Sequence, residues 1–213
     1  MKPDLQIKMD YNIHMNKNHG FTLIELIVTL AVFGIVISMA APSMSGFIDS
    51  NRRAAQVNTF VSALNLARSE AVKRNNNVTV CTRNDAGTAC DATKNWDSGW
   101  LVFIDDNTRG VIDGSDAILR VYEQIYKREI PKDVTLKETV ADSRYITYQA
   151  RGQASFPLTT TTAASFERCD DGGPAQARAI MVTSTGRIRL SKDTSVDTDK
   201  IHEDNNGNID CAP

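Results

Sequence analysis

The sequence predicts an α+β fold: one long amino-terminal helix, its first half membrane-spanning, packed on an antiparallel β-sheet head. Three observations predict it: a 21-residue apolar run at residues 21–41, a helical apolar stripe that resumes at Val57, and a β-rich texture from residue 78 onward. With 213 residues, 41% of them hydrophobic and 23% charged, the chain has about one globular domain's worth of material beside such a segment. A large multidomain enzyme is excluded. The 24 Lys and Arg against 26 Asp and Glu also exclude a globally basic nucleic-acid binder, which needs surplus cations to displace phosphate counterions. Any contact with nucleic acid must therefore be local.

Residues 21–41 read FTLIELIVTLAVFGIVISMAA, with Glu25 the one charged member. At about 1.5 Å per helical residue this run spans a hydrocarbon core of about 30 Å. A secretory signal peptide is the alternative, since Lys2, Lys8 and Lys17 precede the run and Ala40 and Ala41 supply small residues for cleavage. Its apolar core, however, runs only about 7 to 15 residues, with no carboxylate near its start. An unpaired carboxylate in lipid costs about 2.5 to 3.5 kcal/mol, so Glu25 calls for a partner. Pro42 closes the apolar run, and the helical period resumes with Val57, Phe60, Val61, Leu64, Ala67 and Ala71. One helix to about Arg74, bent or melted near Pro42, accounts for both halves, with the second stripe laid on the head.

Beyond Asn75, Asn76 and Asn77, short β-rich runs alternate with turn residues: 78–82, 100–104, 118–123, 145–148, 166–169, 179–184 and 187–190. Residues 151–164, with their Thr run, read as a surface loop. Four cysteines lie beyond the apolar run and lack the C-x-x-C spacing of zinc or redox sites, which points to disulfides in an oxidising compartment. Three connectivities are open. Cys81 with Cys90 and Cys169 with Cys211 is preferred, because one closes a local loop and the other tacks down the tail.

Catalytic motifs are missing. His14 and His19 precede the apolar run, His202 stands in an acidic tail, and no G-x-S-x-G, S-x-x-K, P-loop or G-x-G-x-x-G occurs, so no enzyme and no cofactor are expected. Residues 105–116 match an EF-hand frame at Asp105, Asn107, Asp113 and Asp116 and at its turn glycine, Gly110, with Arg109 occupying a ligand position. A hairpin turn is the preferred reading of this loop and a calcium site the other.

The stretch Gly20-Phe21-Thr22-Leu23-Ile24-Glu25 resembles the processing signature of type IV prepilins and type II secretion pseudopilins. The resemblance implies cleavage by a prepilin peptidase after Gly20, methylation of the new amino terminus at Phe21, and a role for Glu25 in registering the subunit within a filament. Glu25 would meet the amino group of a neighbouring Phe21, neutralising two buried charges. Further on, residues 63–74 (ALNLARSEAVKR), Cys81, residues 98–103 (SGWLVF) and Ile118-Leu119-Arg120 are similar to the FimT/GspH group of minor pilins and pseudopilins. That group implies a pilin-like fold, assembly with other major and minor pilins, an inner-membrane anchor with a periplasmic head, and a place on the surface pilus after assembly. The domains follow: leader 1–20, membrane and filament-core helix 21–47, head 48–213 with its helix continuing over 48–75 and β structure over 78–213.

Gly186-Arg187-Ile188-Arg189 matches a G-R-x-R element implicated in DNA binding in FimT-like pilins of competent bacteria. Independently, Thr185-Gly186 reads as a turn between strands, which points residues 187 and 189 to one face. Two adjacent guanidiniums suit phosphate. Solvated arginines that blunt an edge strand are the alternative. The three lysines and two aspartates ahead of Phe21 leave 21 basic against 24 acidic residues, so DNA must be held by a patch of Arg187 and Arg189 with Lys192. The function expected is a minor pilin binding extracellular DNA for uptake. The alternatives are a structural secretion pseudopilin and a periplasmic domain that uses the helix only as an anchor. Residues 15–20 alone form a basic leader of the family's usual length, so deleting residues 1–14 is expected to leave processing intact. Gly20→Ala is expected to abolish it, read as the mobility of precursor and mature chain on a gel.

Overall fold

A computed structural model describes residues 20–114, 116–123, 135–138, 144–157, 163–169, 177–191, 203–204, 207–209 and 211. Helix α1 occupies Leu23–Arg74, and the chain divides into two compact units, Met1–Ser50 and Asn51–Pro213. The backbone stays helical through Pro42, so the melting expected there does not occur. One hydrogen bond is lost at a proline, and helix-forming sequence on both sides propagates cooperatively across the gap.

In the first unit, consecutive apolar side chains such as Ile24, Leu26, Ile27, Val28 and Leu30 are exposed around the whole helix. A helix apolar on every side is built to be surrounded by lipid or by other protein. Among the described residues no helix is long and apolar enough to cross a membrane.

In the second unit α1 ends in a Schellman turn: Asn75 adopts φ +53°, its N–H bonds Val72 O, and the Asn76 N–H bonds Ala71 O. Asparagine tolerates this left-handed position and releases the chain into β1. Five strands, β1 (Val78–Thr82), β2 (Trp100–Ile104), β3 (Ile118–Tyr122), β5 (Tyr145–Tyr148) and β6 (Ala154–Ser155), pair in the order β3-β2-β1-β5-β6. Four more, β4 (Thr135–Glu138), β7 (Ala163–Cys169), β8 (Arg178–Thr183) and β9 (Ile188–Leu190), pair in the order β4-β7-β8-β9. A small hairpin, β10 (Glu203–Asp204) with β11 (Gly207–Asn208), completes the described strands, and all pairings are antiparallel.

The apolar stripe of α1 packs on both larger sheets. Phe60 is fully buried and meets Trp96, Trp100 and Phe166 edge to face, with ring centroids 5.3, 4.9 and 5.1 Å away. Val78, Val80, Val102, Ile146, Ile180 and Val182 fill in around it. On the far face of the five-stranded sheet, Cys81, Leu101 and Phe103 form a second cluster with Cys90, Ile112 and Tyr145. Cys81 is joined to Cys90 and Cys169 to Cys211, the second bond holding Ile209 against Ala177 and Ala179.

Two sequence readings need correction. Residues 151–164, read as a loop, contain β6 and the start of β7, which begins at Ala163 rather than residue 166. β4, whose sequence is TLKE, was missed because its strand state comes from pairing with β7 rather than from its own composition. Phe60→Ala is expected to destabilise the head by about 3 to 5 kcal/mol, since it leaves a cavity among three rings. The urea midpoint of the oxidised chain measures it.

Candidate nucleic-acid interface and assembly site

The hairpin between β8 and β9 sets the geometry of the two arginines. The Gly186 N–H bonds Thr183 O at 2.7 Å and the Thr183 N–H bonds Arg187 O at 3.0 Å, with Gly186 at φ +77°. This is a β-turn followed by a left-handed glycine bulge, a common way to close a short hairpin. In the ladder Ile188 faces Val182 and Arg189 faces Met181. Ile188 leans on the core, so Arg187 and Arg189 project from the opposite face, and both are exposed. β9 is the edge of its sheet, and among the described residues neither arginine has an ion-pair partner.

Gly186, grouped with the arginines from the sequence, is buried instead. A Cβ there would overlap the carbonyl oxygen of Gly152, itself in a turn at φ +76°. The Ala154 N–H bonds Ser184 O at 2.9 Å, which clamps the two turns together. Helix α1 closes the junction, where Arg68 Nη2 donates to Thr185 O at 3.5 Å. The glycine of the motif thus shapes the hairpin and leaves contact with a ligand to the arginines. Lys192 lies outside the described residues. Arg68 escaped the sequence reading because its contact with Thr185 spans 117 positions and has no local signal.

At the other end of the chain, Gly20 and Phe21 are exposed, Phe21 by 86%. Thr22 caps α1: its Oγ1 accepts the Glu25 N–H at 3.3 Å. The order Thr22-Leu23-Ile24-Glu25 is that of a capping box, and Glu25 in the first turn also suits the helix dipole. Within one chain Glu25 therefore sits where a carboxylate belongs, in the first turn of α1.

The loop at residues 105–116 uses its carboxylates on itself. Asp105 accepts from the Thr79 hydroxyl and from the Gly110 N–H at 2.9 Å. Asp116 accepts the N–H groups of Asp106 and Asp113 at 3.0 and 3.1 Å, and Asp113 accepts the Asn107 amide at 3.0 Å. Burial pushes the Asp105 carboxyl above the usual carboxylate range, against the pull of its two hydrogen bonds. Among the described residues no group of three or more His, Cys, Asp or Glu side chains is placed to hold a metal.

Comparison with known proteins adds the following. Residues 56–186 match the family model described as type II transport protein GspH, and residues 15–41 match the prokaryotic N-terminal methylation motif. The GspH match stops one residue before Arg187. No curated protein matches the chain. A crystal structure of the type IV minor pilin FimU of Pseudomonas aeruginosa (strain PAO1), in space group P21, is similar at TM-score 0.52 and 22% identity, over 70% of this chain and 95% of that one. A second crystal form of FimU, in space group P65, gives TM-score 0.48 and 22% identity, over 67% of this chain and 94% of that one. The first of these likenesses shows the fold. Gly186→Ala is expected to cost about 2 kcal/mol or more, from a left-handed alanine and the contact with Gly152, and to lower the thermal midpoint of the chain.

Proposed function

Because the chain belongs to the GspH family, we propose that it is a minor pilin of a type IV pilus that binds extracellular DNA during uptake. Before assembly, residues 21–47 anchor it in the inner membrane with the head in the periplasm. After cleavage at Gly20 and methylation of Phe21, it joins other pilins in a filament, with Glu25 paired to a neighbour's amino terminus. The apolar sequence of residues 21–41, the methylation motif over residues 15–41 and the exposure of apolar side chains around the helix support this part.

One observation carries the DNA reading: Arg187, the turn residue that leads into edge strand β9, and Arg189 within that strand are both exposed and without an ion-pair partner among the described residues. Two guanidiniums at alternate strand positions point the same way and present their N–H groups to phosphate oxygens. Phosphate contacts carry no base information, so binding is weak and indifferent to sequence. The chain works by binding and assembly, with no chemistry of its own.

The second reading, a structural pseudopilin of a type II secretion system without DNA binding, draws on the description of the matched family. A salt titration of duplex binding separates the two. Arg187→Gln and Arg189→Gln are each expected to flatten the log–log salt slope by about one unit and to reduce DNA uptake, while circular dichroism stays unchanged. Variants that bind like the parent chain would remove the DNA reading in favour of the secretion reading.

A further inference from the structure

We propose that Arg68 and Arg151 join Arg187 and Arg189 in one four-arginine phosphate track, running from the edge of the four-stranded sheet across two apposed turns onto α1. The inference rests on the DNA reading above and names further residues of the same surface. It begins from the Gly152 and Gly186 contact. Both residues lack a side chain and both sit at positive φ, so the turn at residues 149–152 seats directly on the turn at residues 183–186. The residue before one glycine is Arg151 and the residue after the other is Arg187, and both are exposed. Close glycine packing therefore sets Arg151 and Arg187 in two adjoining turns.

Arg68 supplies the third. Its Nε would lie 3.2 Å from a Cβ at Gly152 and 3.3 Å from one at Gly186, so the guanidinium covers the seam between the turns. Among the described residues its bond to Thr185 O, at 3.5 Å, leaves most of its five N–H donors available. Bare arginines packed this closely repel one another, and a polyanion relieves that repulsion. Among the described residues, carboxylates in these turns do not. Segments 149–156 and 183–191 contain no Asp or Glu. On α1, Glu70 is held by Arg74 at 2.6 Å and Lys73 at 3.7 Å. The groove beside Arg68 on α1 is mostly apolar, with Leu66 and Val72 in its lining, and Lys73 is the one further cation there. The hydroxyls of Thr183 and Thr185 bond each other across 2.8 Å at the hairpin tip, which leaves the phosphate contacts to the guanidiniums.

A nucleic-acid backbone is the occupant that a line of separated guanidiniums fits, because its charges repeat along a strand. Four neutralised phosphates give a duplex salt slope of about −3.6, and two give about −1.8. The test is a salt titration of the full chain in nonionic-detergent micelles with a DNA duplex of mixed sequence. It compares the parent with R68Q, R68K, R151Q, the R68Q/R151Q pair and the R187Q/R189Q pair. R120Q, on the edge of the other sheet, is the charge control.

The expected result is a parent slope of about −3.6 that falls by about half in either double variant, with R68K close to the parent and R120Q unchanged. Because R68Q can loosen the turns, R151Q carries the decision alone if R68Q loses its circular-dichroism spectrum. A parent slope of about −1.8, sensitive only to R187Q/R189Q, would overturn the track and leave the hairpin reading standing. R68K behaving like R68Q would remove Arg68 from it. Equal loss in R120Q would mean diffuse attraction and would overturn the track, and no binding by the parent would overturn both readings.

Discussion

Phe60 meets Trp96, Trp100 and Phe166 edge to face, and these rings come from a turn, from β2 in one sheet and from β7 in the other. One helix side chain thereby supplies the core between two sheets that share no strand. Each fully buried ring is worth roughly 2 to 3 kcal/mol in area alone, and edge contacts add to that. With Phe60 seated, the helical period carries Leu64, Ala67 and Ala71 onto the same face, all fully buried. Small residues at 63, 67 and 71 let the strands and turns approach the helix closely.

Arg68 follows the buried Ala67 and so emerges at the rim of the packed face, where the two glycine turns meet. Core packing thus positions a surface charge. From Phe21 onward the chain is acidic, with 21 basic against 24 acidic residues, and its net field does not attract DNA. Attraction has to come from within about 10 Å at moderate salt, the range beyond which exposed charges are screened. A local cluster of cations free of carboxylates meets that condition, whereas arginines scattered over the head would not.

Much of the fold was legible because its signals are periodic. The stripe from Val57 to Ala71 and the strands at residues 78–82, 100–104 and 145–148 follow directly from apolar spacing, and the sequence-preferred cysteine pairing is the one present. β4 and β6 were not legible, since TLKE and AS become strands only by pairing with β7 and β5. The single helix read from the sequence to about Arg74 is present, and the backbone at Pro42 is helical rather than melted. At the candidate site the sequence supplied Arg187 and Arg189 and their common face. It did not supply the buried role of Gly186 or the approach of Arg68, because both depend on Gly152, which lies in a different turn.

Hydrogen exchange of the full chain, read by mass spectrometry with and without duplex DNA, tests the central claim at the site itself. The account predicts that DNA slows exchange in the turns at residues 149–154 and 183–187, with β3 and the loop at residues 105–116 unaffected. Unchanged exchange in both turns at saturating DNA, or protection concentrated elsewhere on the head, would contradict it.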